Sequence, residues 1–380
     1  MWPFTDPDDE AVDQTAARAL AEAEPPTLWL LGKTGAGKTS IVHELTGSEA
    51  AEIGNGFAPC TQTAARYDFP DSEAPVLRFL DTRGLGETDY DPAADLAAFG
   101  DRTHLTVLVV RAADQSLDQV VKTARAIRSQ RPSRPTLLVL TCLHEAAGGD
   151  VSDEAWGQSS ERPLPPESQP ELRRLVAAQY DRFEGLFDRA VLVDLTPLEW
   201  GLADPRFGHE ALRRAILDLM PQAQRQATRV ALHETAAGGE APHAHIIGYA
   251  TAAAGAAAVP IPLIDLPAVA SLQWKLTRDI AARHQQSFDR AARQRLAGLI
   301  GGRAVIGLAV RGLLKAVPVV GSAVNAAAAF AATYGAGMAA DAYFAAMATD
   351  PAHAPNAAEL RAIYDAQLKR AMTLWRVGEE

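Results

Sequence analysis

The stretch that decides the fold reads Gly32-Lys33-Thr34-Gly35-Ala36-Gly37-Lys38-Thr39, which matches the pattern G-x-x-x-x-G-K-[ST] at every position. The apolar residues 28–31 precede it, and residues 40–45 follow it with a helical pattern. A strand, a glycine-rich loop and a helix in that order form a phosphate-binding loop, in which backbone N–H groups and the helix N-terminus surround the phosphates. The sequence therefore predicts a bound nucleoside triphosphate with magnesium.

Two side chains of this loop have the chemistry to act on a triphosphate directly. Lys38 places a positive charge against the β and γ phosphates, and Thr39 offers a hydroxyl to Mg²⁺. The glycines let the backbone approach the phosphates closely. We therefore expect nucleotide contacts from Gly32, Lys33, Thr34, Gly35, Ala36, Gly37, Lys38, Thr39 and Ser40.

Two further segments supply the remaining groups of such a site. Asp81 follows the apolar residues 76–80 and begins a D-x-x-G pattern that ends at Gly84. We expect Asp81 to hold Mg²⁺ through water and the Gly84 amide to meet the γ phosphate. Between the loop and Asp81, Thr61, or Thr63 as the alternative, offers a hydroxyl on a loop that responds to the γ phosphate. The predicted metal residues are Thr39, Thr61 and Asp81, and the predicted catalytic residues are Lys38, Thr61 and Gly84.

Three regions differ in composition along the chain. Residues 27–221 alternate apolar runs with helical patterns, which predicts an α/β P-loop NTPase domain with a mostly parallel sheet. Residues 222–380 are rich in alanine and glycine and predict an all-helical domain. Residues 1–26 predict an N-terminal helical extension that ends at two prolines. The predicted strands lie at 28–31, 76–80, 106–110, 137–140 and 191–193, and helices are predicted at 118–129 and 209–219.

The order of these motifs resembles a known class of enzymes. The loop, the segment Pro59-Cys60-Thr61 and the segment Asp81-Thr82-Arg83-Gly84 resemble the Era-like and septin-like P-loop GTPases, over about residues 27–220. The resemblance implies GTP as the substrate, Mg²⁺ as the cofactor and a switch between nucleotide states. Residues 246–345 resemble the YcjF-type domain of unknown function that follows bacterial Era-like GTPases. That second resemblance rests on segments at 259–267, 278–281, 317–322 and 333–335.

The base-recognition motif departs from the family pattern. The family reads guanine with Asn/Thr-Lys-x-Asp, and the corresponding residues here are Thr141-Cys142-Leu143-His144. Glu145 would supply the missing carboxylate one residue later, or His144 would stack on the base. Both residues are therefore predicted nucleotide contacts.

The residue after Gly84 also departs from the family pattern. Leu85 stands where many GTPases carry a glutamine that orients water, and leucine has no polar group for that task. Arg83 and Glu87 are nearby alternatives. Potassium-activated relatives carry an asparagine at the position of Gly35, so this residue disfavours a mechanism that uses a monovalent ion. We expect slow hydrolysis that self-association or a partner accelerates.

Charge and cysteine content limit the partners. The formal net charge of −11 disfavours nucleic-acid binding, and two cysteines, Cys60 and Cys142, indicate a reducing compartment. The acidic N-terminus lacks the features of a secretory signal. These observations predict a cytoplasmic protein, with the inner face of the cell membrane as an alternative location.

The second half of the chain contains features that suit a membrane surface. Residues 246–264 and 316–340 carry no charge, and residues 275–315 contain nine basic residues against two acidic ones. Anionic lipid attracts such a basic stretch, although a buried helical core explains the same composition. The leading interpretation is a GTP-binding switch with a helical effector domain. A nucleotide-dependent scaffold without hydrolysis and a dynamin-like membrane remodeller are the alternatives.

Overall fold

Seven strands form one sheet in the computed structural model, counted over the residues that the structure describes. Those residues are 9–23, 25–48, 58–59, 64–70, 72–82, 102–147, 161–196, 204, 206–220, 225, 228–229, 232, 241–258, 265–296 and 318–376. The strands are β1 (Thr27–Leu31), β2 (Ala58–Pro59), β3 (Ala64–Phe69), β4 (Leu77–Thr82), β5 (Leu105–Arg111), β6 (Thr136–Thr141) and β7 (Arg189–Leu192).

The helices of the described chain fall before, between and after these strands. They are α1 (Asp9–Glu22), α2 (Lys38–Thr46), α3 (Asp118–Gln130), α4 (Leu143–Ala147), α5 (Pro170–Arg182), α6 (His209–Leu219), α7 (Ala241–Ala258), α8 (Asp265–Arg283), α9 (Arg290–Leu296), α10 (Pro318–Thr349) and α11 (Ala357–Arg376).

The sheet has the order β2-β3-β4-β1-β5-β6-β7 and is mostly parallel, as predicted. Strand β1 pairs in parallel with β4 and β5, and the parallel ladder continues through β6 to β7. Strand β3 runs antiparallel to both β4 and β2. Because parallel strands end on the same side, the loops after β1, β4, β5, β6 and β7 share one edge of the sheet.

The five predicted strands are confirmed as β1, β4, β5, β6 and β7, and the two predicted helices are confirmed as α3 and α6. Strands β2 and β3 were not predicted from the sequence. Strand β3 has a weak apolar signal because Arg66 and Asp68 interrupt it. The buried Asp68 accepts a hydrogen bond from Nε of Arg78 on β4 at 2.6 Å, so the pairing with β4 compensates for the buried charge.

The sheet buries side chains on both of its faces. Trp29 and Leu31 of β1 join one apolar cluster with Ile127 of α3 and Val176 of α5. Successive strand residues point to opposite faces. Helix α6 packs against β6 and β7 and buries Ile216. The two covered faces explain why these strands read as nearly continuous apolar runs.

The chain divides into two compact units. One unit contains Pro25–Phe69 and Leu77–Gly238 and holds the described strands. The other contains Met1–Glu24, Pro70–Val76 and Gly239–Glu380, and its regular structure is helical. The helical unit therefore includes α1 and the turn between β3 and β4, besides the C-terminal helices.

Small residues allow the helices of the second unit to pack closely. Helix α10 packs against α7, α8 and α11. At Gly337 of α10, an added Cβ atom would lie 2.6 Å from Cγ2 of Ile246 on α7. Tyr249, Phe330 and Tyr334 are fully buried in this interior. Among the described residues, no helix has both the length and the apolar character that crossing a membrane requires.

Helix α1 is held in the helical unit by apolar and charged contacts with α8. It buries Val12 and Ala16, and Asp13 forms an ion pair with Arg278. The indole N–H of Trp274 donates to Oδ1 of Asp9 at 3.3 Å. Two acidic side chains of α1 therefore pair with polar or basic side chains of α8.

Candidate functional site

The glycine-rich loop lies between the central strand and a helix. Strand β1 ends at Leu31, and α2 begins at Lys38. Gly35 and Gly37 have φ values of 78° and 95°, in the left-handed region that favours glycine. Thr34, Gly35 and Thr39 are exposed, and Ser40 is half-buried. The loop therefore presents its backbone and the start of α2 to solvent, as a phosphate site requires.

Glycine is needed at position 32 because the neighbouring strand lies very close, and not because of the backbone dihedral angles of Gly32. A Cβ atom at Gly32 would lie 2.3 Å from the carbonyl oxygen of Val109 on β5. No side chain fits at that separation without moving the backbone of one strand. Gly32 therefore sets how closely the loop approaches β5.

The ammonium group of Lys38 lies inside the loop. Its Nζ donates to the carbonyl oxygens of Gly32 at 2.8 Å and Lys33 at 3.2 Å, and lies 3.6 Å from Oδ1 of Asp81. Asp81 lies near the end of β4, opposite Leu30 of β1. The loop lysine and the D-x-x-G aspartate thus meet, although 43 positions separate them in the chain.

The oxygen donors around Lys38 fit magnesium. Thr39 presents an exposed hydroxyl at the first turn of α2, and the Asp81 carboxylate lies beside the loop. Mg²⁺ prefers oxygen ligands and combines one or two protein groups with phosphate and water. Thr39 and Asp81 would hold the ion, which would neutralise phosphate charge.

The end of β6 is fastened to the loop. Oγ1 of Thr141 donates to the carbonyl oxygen of Ala36 at 2.8 Å and lies 3.3 Å from that of Val110. Cys142 follows with a φ of 53°, which is uncommon for a residue other than glycine. Burial raises the pKa of its thiol. This turn leads directly into α4.

Helix α4 carries the two predicted base contacts, which have different partners. Nδ1 of His144 lies 2.8 Å from Oδ2 of Asp194, just beyond β7. Glu145 forms an ion pair with Arg111 at the end of β5. His144 is therefore fixed by a buried carboxylate, whereas Glu145 is paired with a cation at the surface.

A second lysine ties the loop to the segment after β5. Nζ of Lys33 donates to Oδ2 of Asp114 at 2.9 Å and to the carbonyl oxygen of Ser116 at 3.3 Å. Burial alone would raise the pKa of Asp114. Hydrogen bonds from Lys33 and from the Ser116 N–H outweigh it and lower the pKa below its usual value. Lys33 thus joins the loop to the segment after β5 by two hydrogen bonds.

Helix α2 is anchored by a buried carboxylate. Glu44 accepts hydrogen bonds from Arg206 Nη2 at 2.7 Å and from Arg213 Nη2 at 3.2 Å. Burial would raise the pKa of Glu44, but the hydrogen bond and charge of Arg206 and the charge of Arg213 lower it. Arg213 also donates to the carbonyl oxygen of Leu232 at 2.5 Å. These contacts fix α2 against α6.

Several predicted site residues lie outside the described chain. They are Thr61 with its alternative Thr63, Gly84, and the residues Arg83, Leu85 and Glu87. Two contacts were not predicted from the sequence: that of Thr141 with the loop and that of Asp194 with His144. Asp194 directly follows the apolar residues 190–193, and an acidic residue at the end of a parallel strand was the signal available for it.

The sheet order, the loop between β1 and α2, and the acidic residue at the end of the adjacent strand define the class of P-loop nucleotide-binding domains. Residues 27–142 match the family model described as 50S ribosome-binding GTPase. The match supports a P-loop GTPase domain over this segment of the chain. No curated protein sequence matches the chain.

Proposed function

We propose that this protein is a GTP-hydrolysing switch that requires Mg²⁺. The observation that carries the proposal is the separation of 3.6 Å between Lys38 of the loop and Asp81 of β4, both within the segment that matches the GTPase family model. A loop that only binds phosphate has no need of a carboxylate beside its lysine. Magnesium bound to a triphosphate does need one.

Each residue of the site has a distinct role in this proposal. Lys38 neutralises the β and γ phosphates, and the backbone N–H groups of residues 35–39 donate to phosphate oxygens. Thr39 and Asp81 hold the metal. Thr61 completes the metal shell and the Gly84 amide meets the γ phosphate, by the order of the motifs in the sequence. Magnesium supplies the charge that stabilises the phosphoryl group in transfer.

We further propose that intrinsic hydrolysis is slow, because Leu85 cannot orient water. The test is phosphate release measured over a range of protein concentrations. A specific rate that rises with concentration supports acceleration by self-association, and a fast, concentration-independent rate contradicts slow turnover. GTP that binds tightly but is never hydrolysed supports the scaffold alternative.

The turn between β3 and β4 is the proposed link from nucleotide to helical unit. Residues 70–76 join those strands yet belong to the helical unit. Glu73 forms an ion pair with Lys275 of α8, which also pairs with Asp279 at 3.1 Å. The Ala74 carbonyl is packed on α7, where a Cβ atom at Gly248 would lie 2.0 Å from its oxygen. Because β4 carries Asp81 and follows this turn directly in the chain, we propose that nucleotide state reaches the turn through the backbone of β4.

Two glycines of α7 provide a matched test of that link. Gly248→Ala displaces the turn, whereas no described heavy atom lies within 4 Å of a Cβ atom at Gly255. Both changes raise helix propensity by about 1 kcal/mol. We expect hydrogen exchange in α7 and α8 to differ between GTP-analogue and GDP states in wild type and Gly255→Ala, but not in Gly248→Ala. An unchanged difference in folded Gly248→Ala contradicts the link.

Association with an anionic membrane is a separate proposal, supported by the uncharged segments and the basic stretch of the sequence. Within the described residues, Lys275 and Arg278 have acidic partners, and the guanidinium of Arg293 lies over the Trp274 ring. We propose that Arg303, Arg311 and Lys315 of the basic stretch contribute to lipid contact, so that replacing all three with Gln should weaken flotation. Failure of the full chain to float with phosphatidylserine vesicles contradicts the proposal.

A further inference from the structure

The carboxylate of Asp194 holds the ring and the backbone of His144. Its Oδ2 lies 2.8 Å from Nδ1 and 3.0 Å from the backbone N of His144. Its Oδ1 accepts the backbone N–H of Thr196 at 3.1 Å. Asp194 is fully buried, whereas 20% of the His144 side chain is exposed. The histidine is thus fixed from the interior and reachable from outside.

This arrangement decides which nitrogen of His144 faces a ligand as an acceptor. An ionised carboxylate only accepts hydrogen bonds, so Nδ1 of the neutral ring carries the proton. Nε2 then carries the lone pair. A histidine oriented in this way offers a single hydrogen-bond acceptor at a fixed position.

His144 lies at the edge of the sheet that carries the phosphate loop. Thr141 ends β6 and donates to Ala36 of the loop at 2.8 Å. The left-handed Cys142 turns the chain, and α4 begins one residue later. His144 is therefore three residues after Thr141, which contacts the phosphate loop, and the turn at Cys142 lies between them.

Glu145, the other predicted base contact, is less suited to that role. Its carboxylate forms an ion pair with Arg111, and the two side chains are 40% and 39% exposed. A carboxylate that binds guanine accepts two hydrogen bonds, from N1–H and from the 2-amino group. Glu145 would have to leave its guanidinium partner to do so.

We propose, resting on the GTP-binding function above, that Nε2 of His144 accepts the N1–H of the guanine base and that Asp194 is its positioning residue. Guanine and hypoxanthine both carry N1–H, and hypoxanthine lacks the 2-amino group. Because one imidazole nitrogen accepts one hydrogen bond, the 2-amino group contributes little to affinity. The protein then binds GTP and ITP alike, unlike a site with a carboxylate reader.

The test measures dissociation constants of the full-length protein for GTP, ITP and inorganic tripolyphosphate, each with Mg²⁺. We expect GTP and ITP to agree within about threefold, and His144→Ala to weaken both about tenfold, the effect of one lost hydrogen bond. Tripolyphosphate binding should be unchanged in that variant, because the phosphate loop is intact. His144→Asp should create a preference for GTP over ITP of about tenfold.

Asp194→Asn tests whether Asp194 positions the His144 ring or only stabilises the fold. Glu145→Gln tests the other predicted base contact. Asp194→Asn should weaken GTP and ITP together and change the ¹⁵N chemical shifts of the His144 ring, which report the tautomer. Glu145→Gln, the test of the competing assignment, should weaken GTP and ITP binding less than His144→Ala does. Wild type that binds ITP tenfold more weakly than GTP, or a loss confined to Glu145→Gln, overturns the inference. Failure of tripolyphosphate itself to bind contradicts the proposed function, and with it this assignment.

Discussion

Nζ of Lys38 lies 3.6 Å from Oδ1 of Asp81, and these opposite charges belong to motifs that are distant in sequence. The same ammonium donates to the carbonyl oxygens of Gly32 and Lys33. A magnesium triphosphate offers a better partner to each charge, since phosphate binds the ammonium and the metal binds the carboxylate. We therefore propose that the pair marks where a nucleotide and its metal would bind.

Replacement of Asp81 should weaken metal binding more than phosphate binding. We expect Asp81→Asn to raise the Mg²⁺ concentration for half-maximal GTP binding by about tenfold, because one anionic ligand is lost. Titration of Mg²⁺ against a fluorescent GTP analogue measures this shift. The exposed Asp181 of α5 provides the control, and Asp181→Asn should titrate as wild type. An equal Mg²⁺ requirement in Asp81→Asn refutes the metal role.

Two loop glycines should respond differently to the same substitution. Gly32→Ala places a Cβ atom 2.3 Å from the Val109 carbonyl oxygen and should cost about 3 kcal/mol of stability. At Gly35 no described heavy atom lies within 4 Å, so Gly35→Ala suffers only the strain of its φ of 78°, about 1 kcal/mol. Denaturant unfolding compares the two variants. Equal losses of stability would show that the Val109 carbonyl oxygen does not restrict which side chain position 32 can carry.

The contacts of Glu44 with Arg206 and Arg213 should increase the free energy of unfolding at neutral pH. Glu44→Gln leaves the buried Arg213 without its carboxylate and should lower the free energy of unfolding by about 3 kcal/mol. Arg206 is half exposed, so Arg206→Gln should cost less than about 1 kcal/mol. Urea denaturation at pH 7 measures both. A larger loss for Arg206→Gln than for Glu44→Gln contradicts the assignment of Arg213 as the buried partner.

The lowered pKa of Glu44 also predicts a pH dependence. A carboxylate whose pKa falls on folding adds stability above its ordinary value, 4.5, and loses it as the pH drops through the folded value. The free energy of unfolding should therefore fall on acidification below about pH 4.5, and less steeply in Glu44→Gln than in wild type. Parallel curves for the two proteins would show that Glu44 titrates normally in the fold.

The sequence was sufficient for the parts of the fold with a strong local signal. The loop pattern placed Lys38 and Thr39 at the start of a helix, and continuous apolar runs located five parallel strands. Strand β3 was not predicted because Arg66 and Asp68 interrupt its apolar pattern, and no local pattern records that Asp68 also pairs with Arg78 on β4. The same limit applies to the turn at 70–76, whose membership of the helical unit depends on contacts with α7 and α8.

The candidate site was likewise predictable only in part. Residues within one motif were predicted, whereas partners from distant strands were not. Asp194 meets His144 across 50 positions, and Asp114 meets Lys33 across 81. A sequence pattern names the residue type at each strand end, but only the sheet order brings two ends together.

We propose above all that Lys38 and Asp81 support magnesium-dependent hydrolysis of GTP. The most direct measurement is single-turnover release of phosphate from GTP by wild type and Lys38→Ala, with magnesium and with excess chelator. We predict slow release that requires both Mg²⁺ and Lys38. Intact GTP in the wild-type reaction, or equal release by Lys38→Ala, would contradict the claim.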